Sequence, residues 1–188
     1  MIKNKNEYKF YVKSDMASLL LKHWWSKYTN PIARYQCILR KLEYHTNCKS
    51  RTVIGKVYCI YLRWILQKHG IKLGFTIPIN VFGPGLSLAH YGSIVVNGNA
   101  KVGKNCRIHS GVNIGRNNEA PTIGDNVYIG PGAKIWGKIT IGNNVAIGAN
   151  AVVSKDVPDN VTVAGVPFKI ISNKGSEGLV NKGCEMVK

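Results

Sequence analysis

From residue 94 onward, apolar residues return along the chain with a period of six. Val96, Val102, Ile108 and Ile114 open the series, and Ile123, Ile129, Ile135, Ile141, Ile147 and Val153 continue it. Two positions before most of these stands a second apolar or small residue: Ala100, Cys106, Val112, Pro121, Val127, Ala133, Ile139, Val145, Ala151. Side chains on a strand alternate with period two, so both sets face the same way. Glycine follows the first set at 103, 115, 124, 130, 142 and 148. Six residues make one short flat strand and one corner. Three such faces close a coil of about 18 residues, and each coil buries its apolar columns only by stacking on the next. The pattern predicts a mainly β chain, a left-handed parallel β-helix over residues 75–171 with a short α-helical region over 1–74 before it.

In that leading region the apolar spacing is helical. Asn30-Pro31 suits a helix start at "PIARYQCILRKLEYH". In "RTVIGKVYCIYLRWILQKHG" one face collects Val53, Val57, Ile60, Tyr61, Trp64 and Ile65, and His69-Gly70 reads as the C-cap. A further helix is expected over Met16–Trp25. These segments are basic and aromatic, with Trp24, Trp25, Tyr28, Arg34, Lys41, Lys56, Arg63, Trp64 and Lys68. Two readings stand: packing against the rest of the protein with snorkelling Lys and Arg, or contact with an anionic membrane surface. His23, His45 and His69 are read as structural. After residue 171 the polar, Gly-rich "SNKGSEGLVNKGCEMVK" over 172–188 reads as a flexible tail.

Two breaks interrupt the period. Ile114 and Ile123 are nine apart, which places a bulge in "GRNNEAPT"; Leu88 and Val96 are eight apart, and His90 lies in the surplus. Counting three faces per coil stacks Leu88, Ile108, Ile129 and Ile147. The residues two further on, His90, Ser110, Pro131 and Ala149, then form a corner column roughly 14 Å long, with His109 beside it.

Charge narrows the partners. The 26 Lys and Arg outnumber the 9 Asp and Glu, for a net charge of +17, which favours polyanions. No recognition motif supports nucleic acid. The five cysteines form no C-x-x-C pair, so free thiols and a reducing compartment are expected. The first residues lack the apolar core of a signal peptide, and no apolar run is long enough to span a bilayer. The expectation is a cytoplasmic protein, with contact at the inner membrane face. A three-imidazole zinc site is not expected, because the β-helix holds only His90 and His109.

"GPGLSLAHYGSIVVN", the hexads, and "IGANAVVSKDVPDNVTVAGVPFKII" resemble the serine acetyltransferase-like branch of the hexapeptide-repeat acyltransferases over about residues 75 to 172. The short lead is closer to the branch found with capsule and polysaccharide genes. The resemblance implies a homotrimer using acetyl-CoA without a metal, its pantetheine lying in a cleft between neighbouring β-helices. It implies His90 as general base; Tyr91, His109 and Glu119 toward the acceptor; Asn113, Pro131, Gly132 and Ala149 along the cofactor; and Lys155 and Lys169 at its phosphates. Both lysines are also readable as ordinary solvated side chains.

Three departures bear on the acceptor. Ala89 precedes His90 where the family has aspartate, and Glu119-Ala120 precede Pro121 where it has arginine and histidine. An anionic Glu119 would repel the carboxylate of serine. The leading expectation is therefore acetyl transfer to a hydroxyl of a glycan or lipid-linked sugar, with Glu119 of a neighbouring subunit orienting His90; the alternative is a serine O-acetyltransferase of cysteine biosynthesis.

Overall fold

The computed structural model describes residues 1–21, 23 and 25–187, so Trp24 lies outside the described residues. The expected architecture is the observed one: a parallel β-helix with a helical lead. Four helices come first, α1 (Lys5–Ser18), α2 (Ser26–Thr29), α3 (Pro31–Cys48) and α4 (Val53–Leu73). The Asn30 side chain accepts from the N–H groups of Ile32 and Ala33, which starts α3 at Pro31 as the sequence indicates. The helix expected over Met16–Trp25 is instead α1, ending at Ser18. Its inward residues Ser14, Asp15 and Ser18 are polar and buried, so apolar periodicity does not reveal it. A cap in which Asn4 accepts from the Glu7 N–H, and Glu7 from the Lys3 N–H, begins it. Helix α4 runs past the expected stop at Gly70 to a left-handed cap at Gly74. A Cβ on Gly70 would come within 2.6 Å of the Phe75 carbonyl oxygen, so this glycine lets the next strand pass close to the helix.

The strands follow in chain order: β1 (Phe75–Thr76), β2 (Ser87–Leu88), β3 (Ile94–Val96), β4 (Lys101–Val102), β5 (Arg107–Ile108), β6 (Asn113–Ile114) and β7 (Thr122–Ile123). Then come β8 (Tyr128–Ile129), β9 (Lys134–Ile135), β10 (Thr140–Ile141), β11 (Ala146–Ile147), β12 (Val152–Val153), β13 (Thr162–Ala164) and β14 (Lys169–Ser172). They form three sheets, in the orders β1-β3-β6-β9-β12, β4-β7-β10, and β2-β5-β8-β11-β13-β14. All neighbours pair in parallel except β13 with β14, which closes the last coil. Every member of both predicted inward columns is buried.

One corner is built from asparagine. Asn105, Asn126, Asn144 and Asn160 all have positive φ, where the short carboxamide is tolerated. Each Nδ2 donates to the Oδ1 of the next at 2.9 Å, from Asn105 through to Asn160. Asn126→Ala removes two of these bonds and leaves a Cβ residue in left-handed backbone, an expected loss of about 2 kcal/mol. Asn126→Gly relieves the backbone part and should lose less, as read by urea unfolding of the two variants.

The C-terminal segment is not a free tail. Its polar composition is used for docking rather than solvation. The Ser176 hydroxyl donates to the Asn126 carbonyl, Cys184 N–H donates to Asn105 Oδ1, and Asn181 Nδ2 donates to the Ser18 carbonyl. A short helix α5 (Gly183–Met186) packs there on α1, where a Cβ on Gly183 would collide with the Ser14 carbonyl oxygen. Among the described residues no helix is long and apolar enough to cross a membrane.

Candidate active site

The site begins with a clamp. Arg40 on α3 is fully buried between Asp15 (2.8 Å) and Glu43 (3.0 Å), and its guanidinium also donates to the carbonyl oxygens of Phe82 and Gly83. Asp15 accepts in turn from the N–H groups of Gly85 and Leu86. Burial pushes the Asp15 carboxyl up, while Arg40 and the Leu86 N–H pull it back down; the two facing carboxylates bind the Arg40 proton more firmly. Ser18 donates to the Gly85 carbonyl and Gln36 to the Leu86 carbonyl. Residues 82–86 are thus held by the helical lead on both backbone edges, immediately before β2 and His90.

The register stacks the core residues that lead into the corner, and the Gly111 N–H meets the first coil at the Ser93 carbonyl. Leu88 pairs with Ile108, Ile108 with Ile129, and Ile129 with Ile147. Two residues on, the corner is stitched along its length: Gly132 N–H donates to the Ser110 carbonyl, and Asn150 N–H to the Pro131 carbonyl. Pro131 and Ala149 are exposed along it, with Ser110 and Gly132 half-buried and Asn113 half-buried on the strand beyond. Gly92, at φ +124°, turns the chain after His90; a Cβ there would also sit 3.0 Å from the Ser110 Cβ.

His90 and Tyr91 are exposed at the first coil of this corner. The His90 ring lies 5.6 Å from that of His109, tilted by 53°, and the His109 ring lies 5.1 Å from Tyr128, edge to face, so three rings neighbour one another on successive coils. Burial, with Arg107 and His90 close by, holds His109 below the ordinary imidazole range, so it is neutral at pH 7. The His109 Nε2 and the Arg107 Nε are both buried and make no hydrogen bond among the described residues. Arg107 and Tyr128 escape sequence reasoning, because both occupy the outward position just before a core isoleucine, where any solvated residue fits. Their signal is the register, which pairs Arg107 with Tyr128 one coil apart.

Other expected site residues lie elsewhere. Glu119 sits in the bulge at the next corner, between β6 and β7, and does not join His90 within one chain. Nor is it a free anion, since Lys138 Nζ reaches its carboxylate at 2.9 Å and is itself raised by that contact. The repulsion argument against a carboxylate-bearing acceptor therefore fails on charge. Lys155 and Lys169 are exposed at the last coil, near where the Phe168 N–H donates to the Val152 carbonyl. They stand at the opposite end of the column from His90. The described residues contain no cluster of metal-ligating side chains.

Residues 120–155 match the family described as bacterial transferase hexapeptide (six repeats). The chain is 41% identical over 98 residues to a serine acetyltransferase of Synechococcus elongatus, covering 50% of this chain and 40% of that one. It is 42% identical over 122 residues to a serine acetyltransferase of Staphylococcus xylosus, covering 62% and 56%. A crystal structure of Brucella abortus serine acetyltransferase in complex with coenzyme A superposes with a TM-score of 0.69 at 29% identity, over 91% of this chain and 70% of that one. The chain spans about half the length of the curated relatives it matches. The six-residue repeat and the helical lead are thus similar to those of serine acetyltransferases. These relatives overturn the expected glycan or lipid-linked sugar acceptor, and with it the closeness to polysaccharide enzymes.

Proposed function

We propose that this chain catalyses acetyl transfer from acetyl-CoA to the hydroxyl of L-serine, in the cytoplasm, as a homotrimer. The observation that carries the reading is the exposed His90 imidazole at the first coil of a small-residue corner, in a chain whose relatives are serine acetyltransferases. A serine hydroxyl is too weakly acidic to attack a thioester unaided. His90 takes its proton as the oxygen bonds to the acetyl carbonyl carbon. The carbon–sulfur bond then breaks, and the imidazolium returns the proton to the departing CoA thiolate. The thioester is already activated, so no protein nucleophile is needed.

Ala89 supplies no carboxylate to orient His90. His109, neutral and lying against it from the next coil, takes that positioning part here. Tyr91 lines the acceptor side. The pantetheine arm follows Asn113, Pro131, Gly132 and Ala149 toward Lys155 and Lys169, whose charges suit the nucleotide phosphates. Arg107, beside His109 with an unpartnered buried Nε, is the cation for the serine carboxylate.

The test is release of free CoA from acetyl-CoA with L-serine or a panel of free sugars as acceptor. Turnover should follow L-serine; turnover with a sugar and none with L-serine contradicts the reading. Arg107→Gln should raise KM for L-serine by roughly tenfold to a hundredfold, the worth of a hydrogen bond to a charged group, with KM for acetyl-CoA unchanged. Equal changes in both would show only a structural effect.

A further inference from the structure

Helix α4 packs on α3 through Cys59, Leu62 and Leu66, which join Tyr35, Leu39 and Leu42 in the core. Its opposite face is apolar and bare: Val53, Val57, Ile60, Tyr61, Trp64 and Ile71 are all exposed, Ile60 at 69% and Trp64 at 52%. Five of these, all but Ile71, belong to the stripe that helical periodicity selects, whose sixth member Ile65 is half-buried, yet they point away from the protein. At 1.5 Å per residue the bare face is about 27 Å long. Lys56, Arg63, Lys68 and Lys72 border it, and residues 49–73 hold six Lys and Arg with no Asp or Glu. The Lys68 ammonium lies 3.9 Å over the Trp64 ring, a cation held at the edge of the apolar strip.

We infer that this face of α4 docks on an anionic lipid bilayer, lying in the headgroup plane with its aromatic and aliphatic residues inserted and its cations on the lipid phosphates. The argument is charge complementarity. A second copy seated symmetrically on the same face would set Lys56, Arg63, Lys68 and Lys72 against their own equivalents with no acid to offset them. Nucleic acid would match the cations but leave the apolar strip against water or phosphate. A bilayer interface satisfies both, since tails take the apolar residues and anionic headgroups the cations. The inference is independent of the acceptor that the enzyme uses.

Co-sedimentation of the full chain with phosphatidylcholine vesicles, with and without phosphatidylglycerol, tests it. The protein should sediment with the anionic vesicles and not the neutral ones, and raised salt should weaken the association. Lys56→Gln and Arg63→Gln should each weaken it roughly fivefold. The pair Ile60→Asp and Trp64→Glu should weaken it tenfold or more with CoA release unchanged, both positions being exposed. Absence of binding to anionic vesicles overturns the inference. So does a finding that the Ile60→Asp, Trp64→Glu pair lowers the mass in sedimentation velocity and leaves vesicle binding intact, which would make the face an interface between copies.

Discussion

Replacing His90 by alanine should slow CoA release from acetyl-CoA and L-serine by roughly 10²–10⁴-fold, the usual range for a positioned general base. The loss should fall on kcat, because proton removal accompanies bond formation rather than binding. The side chain is exposed, and among hydrophobic-core residues it has no part, so the melting temperature should hardly move. Substituting His109 should give a smaller loss, since that ring acts through His90. A His90→Ala protein with wild-type turnover would remove the base from the mechanism and leave the corner as a structural turn.

Arg40→Met should be the most destabilising single change at the junction of lead and β-helix. It leaves Asp15 and Glu43 buried without their cation and frees the carbonyls of Phe82 and Gly83. Breaking a buried ion pair from one side costs about 3–5 kcal/mol. The expected result is a drop in unfolding free energy of that order, measured by urea. Adding Asp15→Asn and Glu43→Gln to Arg40→Met should recover part of it. Both stranded charges then disappear, while the carboxamide oxygen introduced by Asp15→Asn can still accept from the Gly85 and Leu86 N–H groups. The same variants should lower kcat at temperatures where they remain folded, since residues 82–86 position the strand that leads into His90. If Arg40→Met cost nothing, the clamp would have no structural part.

The β-helix was legible because its physics is periodic. Each hexad buries two residues in fixed phase, so Val96 through Val153 announce three faces, and simple counting stacks Leu88, Ile108, Ile129 and Ile147 as the register pairs them. The helical lead was legible only where burial is apolar. Helix α1 binds through Ser14, Asp15 and Ser18, a polar contact without hydrophobic periodicity, so apolar spacing places the helix too late in the chain. In α4 the periodic stripe is real, but periodicity cannot say whether an apolar face meets protein or something else. Glycine misleads in the same helix, since Gly70 serves a close approach by Phe75 and Gly74 ends the helix. The tail reads as mobile from composition, yet it docks by hydrogen bonds to Asn105 and Asn126, which only the folded corner brings together.

The acceptor was the weakest inference from sequence. Glu119 read alone is an anion; paired with Lys138 nineteen residues on, it is close to neutral toward a ligand. That partner is visible in the chain but cannot be assigned without knowing that both residues share one corner. Arg107 is hidden for the opposite reason. An arginine before a core isoleucine is ordinary until the register sets it beside His109 and Tyr128.

A crystal structure of the protein with CoA bound tests the central claim most directly. The account predicts the CoA sulfur close enough to the His90 imidazole for a serine hydroxyl to bridge them, with reacting atoms about 3–3.5 Å apart, and the pantetheine arm along Ser110, Pro131 and Ala149. A CoA lying on another corner, with His90 remote from the sulfur, would contradict it.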